Sequence, residues 1–333
     1  MSVAFHHRQS AHCESGVTAN LLSSYGLEMS ESLAFGIGGG LFFAYLPFVK
    51  INDLPLTTFR YTTGAILKRT MGRLNVKLKT TTFRSPQKAM AELDRVLDTG
   101  IPVGLQTGAW FLPYFPPAYR FHFNMHNLVV MSRQDGGYLV SDPVFPEPVF
   151  CDRLNLMKAR FTKGALQPKG KMYYVTAVPA SFELRRPVRR GIDDVVKAML
   201  KAPLPIVGIR GMRFLATRLE FWPRNLGREK AILYLGQLVR MLEEIGTGGA
   251  GFRFIYAAFL QEAADILEKD RLRESSTRLT AIGDRWREFA VSAARNCKGR
   301  AQEQDSFAAM AAMIRDCADR EEALYRDLAE IIR

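Results

Sequence analysis

The spacing of apolar and polar positions changes character along the chain. From Ser85, the run SPQKAMAELDRVLDTG sets Ala89, Leu93, Val96 and Leu97 on one stripe at helical period. A serine cap, a proline in the first turn and a closing glycine bound it, so it predicts a helix. Ser15 to Tyr25 reads as a second helix, with Val17, Ala19, Leu21 and Leu22 as its small and apolar positions. The segment AHCES opens it and places Cys13 at or just before its N-terminus. IPVGLQTG, HNLVVMSR, GGYLVSDPV and KMYYVTAVP read as strands, and Asp135, Gly136 and Gly137 turn the second into the third as a β-hairpin. Residues 1–180 are therefore expected to form an α+β domain, a cysteine-bearing helix followed by an antiparallel sheet.

Beyond Pro179 the period becomes helical. Residues 181–227 read as a Pro- and Arg-bearing linker with one helix, from about Gly191 to Lys201. From Arg228 onward, EKAILYLGQLVRMLEEIG, FRFIYAAFLQEAADILEKD, STRLTAIGDRWREFAVSAARN and DSFAAMAAMIRDCADREEALYRDLAEIIR are four helical runs. Short connections between them predict an antiparallel all-α bundle over 228–333. The uncharged stretch from Glu31 to Lys50 is broken by Gly36, Gly38, Gly39, Gly40 and Pro47, so it reads as buried core and not as a membrane span.

A chain of 333 residues with 47% hydrophobic and 24% charged content is an ordinary globular composition, which excludes a disordered or fibrous protein. The formal charge of +13 asks for an acidic partner. It divides into +16 before Met241 and −3 from there on. The densest basic cluster, Arg185, Arg186, Arg189 and Arg190, carries no recognition-helix, zinc-finger or stacking-aromatic signature, so it reads as a solvated linker and nucleic acid is not the expected partner. Histidines, Arg8 and Glu14 occupy the positions where a signal peptide needs an apolar core. Four cysteines without CxxC spacing fit neither a disulfide framework nor a zinc cluster. A cytoplasmic protein with free thiols, no metal and no membrane attachment is expected.

A cysteine at a helix N-terminus is where a thiolate is stabilised, because unpaired N–H groups and the helix dipole favour negative charge. Cys13 meets that condition, whereas Cys151 follows a Pro-rich loop and Cys297 and Cys317 lie within helical runs. A thiolate needs an imidazole, and the imidazole an acid to fix its tautomer. His126 opens one strand of the hairpin and Asp142 ends the other, so pairing about the turn at Gly136 brings them together. His122 is a competing base in FRFHFNMH, and His12 is expected to line the pocket or cap the helix. No HxH or HExxH spacing supports a metal site. Gln9 is a candidate oxyanion donor beside the backbone N–H of Cys13. GIGGG at 36–40 reads as tight backbone packing near the active site, while GTGGAGFR at 246–253 offers either an anion cradle with Arg253 or a simple turn.

HCESGVTANLLSSYG, SESLAFGIGGGLFFAY, LDTGIPVGLQTG, FLPY, HNLVV and VSDP together resemble the N-terminal domain of the butirosin biosynthesis protein H family. GTGGAGFRFIYAAFLQEAADIL, with RWREFA after it, is similar to the helical domain of unknown function that commonly follows. The chain departs from the family pattern around Ser132 and near Gly108. The resemblance implies a papain-like cysteine fold, similar to bacteriocin-processing peptidase domains, with Cys13 as nucleophile, His126 as base and Asp142 as acid. It implies acyl transfer from an acyl-carrier-protein thioester to the cysteine and on to an amine. No cofactor is expected to be bound; a phosphopantetheine arm on an acidic carrier protein would deliver the acyl group. FFAYLPF and WFLPYFPPAY are apolar enough to wall an acyl pocket. A cysteine hydrolase, thioesterase or peptidase, on the same residues is the first alternative, and a noncatalytic binding protein the second. A homo-oligomer is left open.

Overall fold

The computed structural model describes residues 3–51, 53–117, 120 and 124–333. The chain runs α1 (Cys13–Ser24), α2 (Glu31–Ile37), β1 (Leu41–Ile51), β2 (Leu54–Arg60), α3 (Ala65–Arg73), β3 (Lys77–Thr81), α4 (Pro86–Leu97) and β4 (Val103–Thr107). Then come β5 (His126–Gln134), β6 (Gly137–Ser141), β7 (Val149–Asp152), α5 (Arg153–Arg160) and β8 (Met172–Ala177). The remainder is helical: α6 (Arg185–Leu200), α7 (Gly208–Glu220), α8 (Trp222–Leu226), α9 (Arg228–Val239), α10 (Arg253–Leu267), α11 (Arg271–Cys297) and α12 (Phe307–Ile331). The fold class is α+β with antiparallel sheets. Two compact units form, one from residues 1–34 and 66–183, the other from residues 35–65 and 184–333.

The first unit is built on an antiparallel sheet in the order β3-β8-β4-β5-β6-β7. Its core joins Met90, Leu93, Val96 and Leu97 of α4 to Val103, Leu105, Leu128, Val130 and Val140 of the strands, with Leu156 and Ala159 of α5. The apolar stripe that predicted α4 is thus the face it buries, and Ser85 caps the helix by accepting the Lys88 N–H at 3.3 Å. Gln134 pairs with Gly137, so Asp135-Gly136 is a two-residue turn. Gly136 takes φ of +72°, which a side chain would strain. α1 packs against β5, and its residues 13–22 are all buried.

In the second unit, α12 packs on α7, α11 and α6, and α11 on α10 and α9. The β1–β2 hairpin belongs to this unit, since Phe43 and Phe59 pack on the Trp286 ring and Tyr45 on Trp222. The expected division at 180, with a linker over 181–227, therefore differs from the observed one. Residues 35–65 belong to the helical unit, and 184–227 supply three packed helices where a linker with one helix was expected. The reason is long-range: the apolar side chains of β1 and β2 find their partners some 200 positions later, which no local pattern reports. The tight packing expected of GIGGG occurs within the helical unit, where a Cβ on Gly36 would lie 2.0 Å from the Phe259 ring and one on Gly191 2.2 Å from the Gly36 carbonyl oxygen. The basic cluster 185–190 is the solvated first turns of α6, not a linker, and its Arg186, Arg189 and Arg190 line, with Lys197, Lys201 and Arg333, a cavity of about 670 Å³.

Candidate active site

Cys13 is the first residue of α1, and His12 is the extended N-cap. The His12 ring meets the Ser15 hydroxyl at 2.9 Å and accepts the Ser15 N–H, so of its two expected roles His12 takes the capping one. The Glu31 carboxylate of α2 receives the N–H groups of Ala11 at 2.9 Å and His12 at 2.6 Å and the Ser15 hydroxyl at 3.1 Å. Burial raises its pKa, opposed by those three hydrogen bonds. One half-buried carboxylate thus braces the turn that presents the thiol.

The strand side is tied to the same place. Ser10 N–H donates to the Pro143 carbonyl at 2.6 Å, and a Cβ on Gly16 would lie 2.8 Å from the Pro143 Cβ. His7 holds the Ser141 hydroxyl at 2.8 Å and the Phe145 carbonyl at 3.0 Å. Residues 7–16 and 141–145 therefore form one interlocked edge.

His126 Nε2 lies 2.6 Å from Asp142 Oδ2, with the carboxylate fully buried and the imidazole nearly so. The same oxygen accepts the Tyr114 hydroxyl at 2.8 Å, and Oδ1 accepts the Val144 N–H at 3.2 Å. Burial opposes a charged imidazole, but the Asp142 carboxylate and then the Cys13 sulfur outweigh it and raise the His126 pKa to about 10. Phe115 of the WFLPYFPPAY segment stands edge-on to the His126 ring at 5.3 Å. Burial, followed by the neighbouring Asp142, pushes the Tyr114 phenol well above its ordinary value, which keeps it a donor.

The arrangement brings together Cys13, His126 and Asp142, the three residues expected to do chemistry. The other cysteines are buried or pushed toward the neutral thiol: burial takes Cys151 up to about 12 and moves Cys317 and Cys297 in the same direction. Gln9 is exposed and turns its amide to the Val144 carbonyl at 3.4 Å, so the expected oxyanion donor is not aimed at the thiol. Arg253 corrects the cradle reading. It is fully buried and paired with Glu321 at 3.0 Å, its guanidinium over the rings of Phe59 and Trp286. Glu243 takes the Ala250 N–H at 3.1 Å, so the glycine-rich turn is satisfied from within. His122 lies outside the described residues. Tyr114, Glu31 and Asn127, whose amide nitrogen lies 4.0 Å from Cys13 Sγ, were missed; a tyrosine, a glutamate and an asparagine in sequence carry no spacing signal.

A thiol at a helix N-terminus, an imidazole on an antiparallel strand and a carboxylate at the end of the next strand are the groups a cysteine-dependent enzyme requires, in the chain order of papain-like enzymes. The chain belongs to the family of the domain of unknown function DUF4872, matched over residues 154–328, and the model of the butirosin biosynthesis protein H N-terminal domain matches residues 12–143. The N-terminal match contains Cys13, His126 and Asp142. The DUF4872 match begins within α5, ahead of the point where the compact units divide. A solved structure of a candidate C39-like peptidase from Bacillus anthracis aligns at 17% identity with a TM-score of 0.36, over 53% of this chain and 96% of that one. No curated protein matches the chain. Among the described residues no helix is long and apolar enough to cross a membrane.

Proposed function

We propose that the protein is an acyltransferase of natural-product biosynthesis, moving an acyl group from a carrier-protein thioester through Cys13 to an amine. The observation that carries this is the 2.6 Å His126–Asp142 contact set beside a thiol at the N-terminus of α1. With Nε2 held by Asp142, Nδ1 is the ring nitrogen left for the thiol. An imidazolium that keeps its proton to about pH 10 favours a thiolate beside it. The thiolate attacks the thioester carbonyl, a C–S bond to Cys13 forms, and the pantetheine sulfur leaves with the His126 proton. The amine then attacks the acyl-enzyme, His126 takes the amine proton, and Cys13 is released as thiolate. The first exchange is nearly isoenergetic and the second downhill, so the enzyme needs an activated sulfur and a dry site more than a driving force.

The butirosin biosynthesis protein H match supports a role in natural-product biosynthesis. The phosphopantetheine arm would be part of the substrate and not a resident cofactor. An acidic carrier protein complements the basic surface. Four free cysteines favour a reducing, cytoplasmic setting. The fate of the acyl group tests the reading. Given carrier thioester and a panel of primary amines, the enzyme is expected to yield amide in excess of free acid. Free acid alone, at a rate no amine changes, would make it a hydrolase.

A further inference from the structure

Asn127 follows His126 on β5 and so projects from the other face of the strand. Its amide nitrogen lies 4.0 Å from Cys13 Sγ. Both ends of the amide are fixed. The Tyr173 hydroxyl donates to Oδ1 at 3.0 Å, and Nδ2 donates to the Met125 carbonyl at 3.1 Å. Turning the amide over would set its oxygen against that carbonyl and leave the Tyr173 hydroxyl facing an NH2 group, so the N–H groups must face sulfur.

Tyr173 is itself fully buried, and its ring has room only because its β4 partner is Gly104. A Cβ at that position would lie 2.1 Å from the ring. Burial first, then the nearby Glu14 and Cys13, hold the phenol well above its ordinary value, so the hydroxyl remains a donor. A chain of fitted groups thus runs from Gly104 through Tyr173 and Asn127 to the sulfur.

We infer that Asn127 donates an amide N–H to the Cys13 thiolate, and that Tyr173 is the positioning residue that holds the amide in that orientation. This rests on Cys13 being the nucleophile. A hydrogen bond to sulfur strengthens when the sulfur is charged, so it favours thiolate over thiol. It also supplies a contact that neither His126 nor the helix terminus makes.

The test is the pH dependence of Cys13 alkylation by iodoacetamide, read by mass spectrometry on the Cys13 peptide, in the wild type, Asn127→Leu and Tyr173→Phe. The midpoint of the profile is expected to rise by about one pH unit in Asn127→Leu, with a neutral-pH rate roughly tenfold lower and the alkaline plateau unchanged. Tyr173→Phe shifts it the same way by less. A merely structural role would change the plateau or the thermal melt and leave the midpoint in place. If the leucine variant does not fold, Tyr173→Phe, which removes one hydroxyl and keeps Asn127, carries the test. Unchanged midpoints overturn the inference. Alkylation needs no acyl donor, so this failure is separate from that of acyl transfer, which would appear as an absent acyl adduct on a Cys13 that iodoacetamide still modifies.

Discussion

At the scale of the residue, Asp142 is the centre of the site. It receives His126, Tyr114 and the Val144 N–H, and against burial it raises, together with Cys13, the imidazole pKa from 6.5 to about 10. The favourable contribution to folding is therefore whole below about pH 6.5 and is lost as pH rises through about 10. Asp142→Asn is expected to move the His126 titration, followed by imidazole NMR, to lower pH, and to lower acyl transfer roughly 10²–10⁴-fold. An unmoved titration would mean that another group holds the ring. Tyr114→Phe keeps the ion pair and loses one donor, so a drop of about tenfold or less is expected. The pairing of His126 with Asp142 was legible in the sequence because the Asp135-Gly136 turn fixes the hairpin register. Tyr114, Glu31 and Asn127 were not, because each reaches the site across the fold from a position that carries no motif.

At the scale of the element, glycine-rich segments mislead when read locally. GTGGAGFR has the composition of an anion cradle, yet its Arg253 answers Glu321, 68 positions away. Glu321 also accepts the Trp286 indole N–H at 2.9 Å and the Tyr325 hydroxyl at 3.3 Å. Removing one member of such a buried pair leaves an uncompensated charge, so Arg253→Ala should lower the unfolding free energy of the helical unit by ~3–5 kcal/mol in urea melts. Cys13 alkylation in the folded variant should be unchanged. A variant of normal stability with weakened substrate binding would restore the cradle. Helices α4 and α10 to α12 were legible from apolar period and caps, but α7 and α8 were not. Their segment has many arginines and prolines at 203, 205 and 223, and this composition resembles a linker even though Met212, Leu215 and Leu219 form a buried face.

For the whole molecule, the charge is redistributed by the fold. Counted by sequence order, the excess lies before Met241. Counted by compact unit, the unit that bears Cys13 holds 17 basic and 11 acidic side chains and the helical unit 29 and 22, so each carries a comparable surplus. Transfer of β1 and β2 and of α6 to α9 to the helical unit makes the difference. The proposed acidic carrier protein is thus matched by a net positive charge on the unit that bears Cys13. Carrier affinity, measured by calorimetry, is expected to weaken about tenfold between low and moderately high salt. Affinity indifferent to salt would remove charge from the recognition. The central claim, that Cys13 carries the acyl group, is tested most directly by intact-protein mass spectrometry after mixing the protein with an acyl-loaded carrier protein. The account predicts one added acyl mass, mapped to the Cys13 peptide, lost in Cys13→Ala and retained in Cys297→Ala. An acyl adduct that persists in Cys13→Ala, or no adduct on the wild type, would contradict it.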